Sequence, residues 1–206
     1  MTEIEIRGKL AKEKFNELFK LLTSDGKLVD HYHRLSIDLS PGFDETTKTW
    51  KNSSGTDIRL KKSDDREKLS VKMGSFHDKE RKEIEVKLQT GQFLNALDFL
   101  EALGYNSGMI YYWESWEFNY QGVEVKLSRY NDHYFTFEIE GKENSNVESV
   151  AKKFELTPYS KEEYRKTIDW ENRNIHQLYT RKLNEKLLKS KFSSKQDFFI
   201  DINTTG

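Results

Sequence analysis

The sequence contains no cysteine, and that absence removes thiol nucleophiles, Cys-type zinc sites and disulfides from the chemistry open to the chain. A thiol-free chain also fits the cytoplasm, where disulfides are rare. No apolar run approaches the roughly 20 residues that a membrane span requires, and the opening MTEIEIRGKL has no hydrophobic signal region. A soluble cytoplasmic protein without a membrane partner is therefore expected. Excess charge of one sign is missing too, since 34 Lys and Arg stand against 35 Asp and Glu, for a formal net charge of -1. No whole-chain field gathers nucleic acid, so any polyanion site must come from a local concentration of basic side chains. Walker A, Gly-x-Gly-x-x-Gly, Gly-x-Ser-x-Gly and His-Glu-x-x-His patterns are absent. P-loop, Rossmann, α/β-hydrolase and zincin readings thus lack support.

What the chain does have is charge placed with period two. Glutamates alternate in three short runs, as Glu3 and Glu5, Glu83 and Glu85, and Glu138 and Glu140, while basic residues alternate in the runs between. Alternate residues of a strand share a face. TEIEIRG, TDIRLKK, EKLSVKMG, RKEIEVKL, GVEVKLSR and YFTFEIEG therefore read as strands with an apolar face that includes Leu60, Val86, Val125 and Ile139. Their other face carries Arg59, Lys61, Lys68, Lys72, Glu83, Glu85, Lys87, Glu124, Lys126, Glu138 and Glu140. An antiparallel sheet with one wet face shows such alternation without any function. The segregation of acid pairs from basic runs is what favours a site.

Between the strands, AKEKFNELFKLLTSDG sets Phe15, Leu18, Phe19 and Leu22 on one helical stripe and stops at Gly26, and TGQFLNALDFLEALGY does the same up to Gly104. A strand from about His31 to Leu39 precedes a polar loop or short hairpin around Trp50. From Val147 the chain turns helical, with a capping box at Ser160 and Glu163; the stretch from there to Leu188 reads as one long helix or two broken ones. Strands, a helix, more strands and then helices predict an α+β fold with a mostly antiparallel sheet. One domain over residues 1–190, C-terminal helices included, and a tail over 191–206 are expected. Closure of the sheet is the deciding question, because a closed barrel encloses its charged face, where charges must pair or hold a ligand.

The ordered blocks EIEIRGK, DIRLKK, LSVKMG, RKEIEV, ALGY and FEIEG resemble the CYTH, or triphosphate tunnel metalloenzyme, superfamily, whose signature is an N-terminal Glu-x-Glu-x-Lys. The resemblance spans roughly Thr2 to Gly141, with a further likeness around VAKKFELTPYSKEEYRKTI. It implies an antiparallel eight-stranded β-barrel surrounded by helices, a tunnel that binds triphosphate through basic side chains and Mg²⁺ or Mn²⁺ through glutamates. By the same resemblance Glu3, Glu5, Glu138 and Glu140 are metal candidates, and Glu3, Glu5, Arg7 and Glu85 catalytic candidates. Arg7, Arg59, Lys61, Lys72, Arg81, Lys87 and Lys126 are the candidates for phosphate. Hard divalent ions choose carboxylate oxygen, water and phosphate, while Arg and Lys neutralise the polyanion. The implied activity is metal-dependent hydrolysis of inorganic tripolyphosphate or a nucleoside or organic triphosphate. The alternatives are class IV adenylyl cyclase chemistry or a non-catalytic nucleotide or polyphosphate binder. The implied partner is a small-molecule triphosphate or nucleotide, with nucleic acid limited to an RNA 5′-triphosphate end, and the chain a monomer or homodimer.

Two departures stand out. Arg7 occupies the signature lysine position and cannot exchange a proton near neutral pH. The strand MIYYWESWEFNYQ has no basic residue and offers Tyr111, Tyr112, Trp113, Trp116, Phe118 and Tyr120 instead. These rings read either as sheet core or dimer face, or as a wall on which a flat organic group stacks. His31 and His33 flank Tyr32 at strand spacing without an evident third ligand, and read as structural or surface residues.

Overall fold

Period-two alternation becomes one curled sheet in the computed structural model, which describes residues 4–50, 56–73 and 82–189. The elements in chain order are β1 (Ile4–Leu10), α1 (Lys12–Asp25), β2 (Lys27–Leu39), β3 (Phe43–Asp44), β4 (Thr49–Trp50), β5 (Thr56–Ser63), β6 (Arg66–Met73) and β7 (Lys82–Leu88). They continue as α2 (Phe93–Ala102), β8 (Gly108–Tyr120), β9 (Val123–Asn131), β10 (Tyr134–Gly141), α3 (Asn144–Lys153), α4 (Lys161–Asn174), β11 (Gln177–Leu178) and α5 (Arg181–Lys189). Eight strands pair in the order β1-β10-β9-β8-β2-β5-β6-β7, every neighbour antiparallel, while β11 adds to β8 and β3 pairs β4 in a separate hairpin. The α+β class and the antiparallel sheet agree with expectation.

The expected barrel closure is not seen: among the described residues no ladder joins β1 to β7, the two ends of the sheet. The physical reason lies in β7. Its apolar positions Ile84 and Val86 are 48% and 52% exposed, so no helix among the described residues presses this end of the sheet inward. The curl is nonetheless strong, because Glu5 and Arg7 of β1 line the same cavity as Lys72, Glu83 and Glu85 at the opposite end.

Two apolar clusters back the convex face. Phe15, Leu18 and Leu22 of α1 and Val147 and Val150 of α3 pack on Phe118, Val125, Leu127, Phe137 and Ile139. Phe93, Leu97 and Leu100 of α2 pack with Tyr179 on Leu35, Ile37, Leu60 and Ile110. Each fully buried side chain of this size contributes about 1.5–3 kcal/mol of transfer free energy. β8 runs through both clusters, giving Phe118 and Tyr120 to the first and Ile110 and Tyr112 to the second, while β2 enters only the second; the two strands, 13 residues each, pair along nearly their whole length. This pairing explains why β2 begins at Lys27 rather than near His31: Lys27 and Leu28 sit opposite Asn119 and Phe118.

Helix ends follow their signals. Gly104 adopts φ +88 after α2, a left-handed conformation that side chains disfavour. Ser160 and Glu163 form the predicted capping box, with Glu163 N donating to Ser160 Oγ at 3.2 Å and Ser160 N to Glu163 Oε2 at 2.8 Å. The helical C-terminal stretch proves to be two helices, because the amides of Ile175 and His176 both turn back to the Glu171 carbonyl and β11 then pairs with Met109 and Ile110. No helix among the described residues is long and apolar enough to cross a membrane. The tail over 191–206 lies outside the described residues.

Candidate functional site

The concave face of the sheet and helix α4 enclose a cavity of about 310 Å³, within the size range of small-molecule sites. Antiparallel register assembles its acidic corner: Glu5 lies opposite Glu140 and Arg7 opposite Glu138 across β1 and β10. One carboxylate oxygen each from Glu5, Glu138 and Glu140 falls within 4.8 Å of the others. Cations are interleaved with these acids. Arg7 contacts Glu5 and lies 3.6 Å from Glu138. Lys126 Nζ sits 3.3–3.6 Å from Glu138, Glu140, Glu117 and Glu124. Burial disfavours charge on Lys126, but Glu138 and Glu140 outweigh it and its pKa is raised. Burial likewise opposes charge on Glu138, yet Arg7, Lys126 and Lys72 hold it well below the usual carboxylate range. Glu138 is therefore ionised at neutral pH.

Arg7 is further fixed by helix α4. Its Nη1 donates to Tyr164 Oη at 2.6 Å, and its guanidinium lies 4.9 Å from the Tyr164 ring centroid. Burial opposes its charge, and Tyr164 and Glu138 more than compensate. It is thus a permanent cation.

Facing this corner are basic side chains of β5 and β6. Arg59 Nε lies 3.2 Å from Asp38 Oδ2, and Asp38 also accepts from Ser36 Oγ at 2.8 Å and Tyr111 Oη at 2.7 Å. Lys61 and Lys72 each approach Glu83 at 3.4 Å, and Lys68 approaches Glu85 at 2.8 Å. Burial, with Arg59 nearby, lowers the pKa of Lys61 to about 8 and lowers that of Lys72. Burial would raise Glu83, but Lys61 and Lys72 draw it down. These lysines are crowded cations whose charge an incoming polyanion would relieve.

Of the residues singled out by sequence, Glu5, Arg7, Arg59, Lys61, Lys72, Glu85, Lys126, Glu138 and Glu140 line this one cavity. Lys87 does not; it is exposed near the end of β7. Glu3 and Arg81 lie outside the described residues. The carboxylates present fit a hard divalent ion. They offer oxygen donors, and Glu5 Oε1 is buried and, apart from its ion contact with Arg7, receives no hydrogen bond among the described residues.

Sequence reasoning missed a second group of lining residues. Arg34 and Asp38 come from β2, and Tyr164, Ile168, Glu171, Asn172 and His176 from α4 and the turn after it. The signals existed: Arg34, Ser36 and Asp38 share the period-two face opposite Leu35 and Ile37, and positions 164, 168, 171 and 172 follow a helical stripe. The aromatic strand presents its rings to two sides. Tyr111 and Trp113 line the cavity, whereas Tyr112, Trp116, Phe118 and Tyr120 pack with the convex-face clusters. His31 and His33 also lie outside the cavity, where their Nε2 atoms stand 2.9 and 3.5 Å from Glu114, which Arg129 holds at 2.5 Å.

No protein-family model matches the chain, and no curated protein does. Solved structures match in shape. A candidate adenylate cyclase from Vibrio parahaemolyticus superposes with a TM-score of 0.58 at 12% identity, covering 92% of this chain and 99% of that one. A chain of the Schizosaccharomyces pombe Mediator head module gives 0.54 at 12% identity, covering 75% and 95%. HpAC1 from Hippeastrum, a candidate adenylyl cyclase described as having a dominant triphosphatase activity, gives 0.52 at 15% identity, covering 81% and 96%. Identities this low speak to fold alone. Sequence blocks and backbone agree at that level: the chain has the fold of the CYTH, or triphosphate tunnel metalloenzyme, superfamily.

Proposed function

We propose that the protein cleaves a phosphoanhydride bond of a triphosphate inside this cavity, with a divalent metal. The observation that carries this reading is the opposition of Glu5, Glu138 and Glu140 to Arg59, Lys61 and Lys72 across one enclosed space. In the proposed arrangement Arg59 grips phosphate oxygens by its planar fork and the lysines neutralise them as point charges. Glu5, Glu138 and Glu140, with Glu3, would hold Mg²⁺ or Mn²⁺, whose contribution is to neutralise charge on phosphate oxygens. Glu85, paired with Lys68, is the carboxylate proposed to orient the attacking water. Arg7 serves as a fixed cation and moves no proton. A loaded site encloses its ligand more fully than the curled sheet does, as a tunnel. The residues thus supply positioning and electrostatic stabilisation, which is most of what phosphoryl transfer asks of a protein.

A second reading, binding without turnover, is favoured by the ion pairing of the acidic corner: Arg7 and Lys126 already neutralise much of the charge that would draw a metal. Product release from tripolyphosphate, ATP, GTP and thiamine triphosphate with Mg²⁺ or Mn²⁺, beside thermal shift on the same panel, separates the two. For the enzyme, Glu5→Gln with Glu138→Gln lowers turnover by roughly 100-fold or more. Phosphate release identifies hydrolysis, and pyrophosphate with a cyclic nucleotide identifies cyclisation. Thermal stabilisation without any product would replace the enzymatic reading by the binding one.

A further inference from the structure

A triphosphate chain needs cations and metal, and these fill one part of the cavity. The part formed by β8, β9 and the end of α4 is built of rings. His176, Tyr111, Trp113 and Tyr130 form a closed cluster, with successive centroid separations of 4.1, 5.2 and 5.7 Å, interplanar angles of 23, 17 and 20°, and Tyr130 returning to within 6.3 Å of His176. All four line the cavity, and Tyr111, Trp113 and Tyr130 keep part of their surface exposed. Aromatic surface of this kind does nothing for phosphate and is suited to a planar ligand group.

His176 adds a polar feature. Asn172 Nδ2 donates to the Lys48 carbonyl at 3.1 Å, which orients the amide so that Asn172 Oδ1 faces His176 Nδ1 at 2.9 Å. Nδ1 therefore carries the proton, and Nε2 is left as a lone-pair acceptor. That atom is buried and has no hydrogen-bond partner among the described residues. Burial, followed by the charge of Arg59, lowers the His176 pKa to about 3, so the ring is neutral wherever the protein works. A neutral acceptor repels phosphate oxygen and welcomes an N–H or O–H donor; a buried acceptor without a partner is costly unless a ligand supplies one.

We propose that this end of the cavity is a subsite for the organic group of the triphosphate: a planar ring carrying an N–H or O–H donor, with Trp113 giving the ring contact and His176 Nε2 accepting the hydrogen bond. Only the placement of the phosphates rests on the functional reading above. Inorganic tripolyphosphate satisfies the cations and leaves the rings and Nε2 unused, so it is the poorer ligand.

Competition binding and tryptophan fluorescence with tripolyphosphate, ATP, GTP and purine riboside triphosphate, which lacks the exocyclic amine, test the subsite with and without Mg²⁺. ATP or GTP should bind at least about tenfold more tightly than tripolyphosphate, the lower part of the effect of one stacked base, and should quench fluorescence. Trp113→Leu should remove that advantage while sparing tripolyphosphate, which also reports that the variant folds. His176→Phe should remove the preference for a donor-bearing ring over purine riboside triphosphate, and His176→Gln, which restores an acceptor, should return part of it. Equal affinity of the wild-type protein for tripolyphosphate and the nucleotides overturns the subsite without any variant, as does equal weakening of all four ligands by Trp113→Leu. Selective nucleotide binding without turnover upholds the subsite and removes the enzymatic reading. Failure of every triphosphate to bind removes both.

Discussion

Lys61 shows how a single buried charge makes binding and stability respond oppositely to pH. Its folded pKa, lowered by burial and Arg59 to about 8, lies below its ordinary value of 10.5. Between those two pH values the unfolded chain holds more protons, so the Lys61 contribution to stability rises with pH through this window. Binding of a polyanion needs the charged form, so tripolyphosphate affinity should fall as pH climbs past about 8. Calorimetric titration from pH 6.5 to 9.5 should show that step, and Lys61→Met should flatten it. Arg59 carries no such dependence, and Arg59→Ala should weaken tripolyphosphate and ATP alike by about 10- to 100-fold, the range of a lost charge-assisted hydrogen bond. Glu67 is a different case. By alternation it belongs to the apolar face with Leu69 and Val71, and it is 3% exposed. Its carboxylate accepts from Lys62 Nζ at 2.5 Å and from the Phe93 amide at 2.8 Å, at the start of α2. Glu67→Ala should therefore cost about 1–3 kcal/mol in urea unfolding, and Glu67→Gln less, since an acceptor remains. The acids and bases of the cavity could be read from period two because strand geometry alone sets their side. Glu67 and His176 could not, since their roles depend on helix ends brought from 26 and 4 residues away.

Among the elements, α4 does the most for the site with the least sequence signal. Its first turn is secured by the capping box, while Tyr164, Ile168, Glu171 and Asn172 form the stripe over the cavity. Burial raises the Glu171 carboxyl, which accepts from Tyr134 Oη. Ser160→Ala should cost about 1 kcal/mol, and amide exchange should quicken first in α4. Strands β5, β6, β9 and β10 and helices α1 and α2 were legible because each buries one face and repeats a single period. The first residues of β2 were not, since Lys27 to Asp30 are held by pairing with β8 and not by apolar burial. The break between α4 and α5 was equally hidden, because the stretch is helix-forming throughout and the turn at Ile175 and His176 is set by docking against β8. At β7 the alternation holds, but it does not tell what packs on the apolar side. Ile84 and Val86 point away from the charged face, yet no helix among the described residues covers them.

For the whole molecule, a formal net charge of -1 conceals strong separation of charge within the fold. Acids gather on β1 and β10 and bases on β5 and β6, with the curl of the sheet turning both groups onto one space. Sequence blocks announced the pieces; the curvature that makes them face one another belongs to the assembled sheet. Because the cavity's charges are partly buried, salt should screen them less than exposed pairs. The two apolar clusters look like separate cores, one under α1 and α3 and the other under α2 and α5. They are nevertheless threaded on one strand, β8, which carries Phe118 and Tyr120 into the first and Ile110 and Tyr112 into the second and would lose part of its ladder if either half opened. Melting of the two halves should therefore be a single event, with the amides of β8 from Ile110 to Tyr120 exchanging at one common free energy. The cavity sits over the strand that enforces this cooperativity, lined by its Tyr111, Trp113 and Glu117, so a ligand held there would tighten the entire protein and not one face of it.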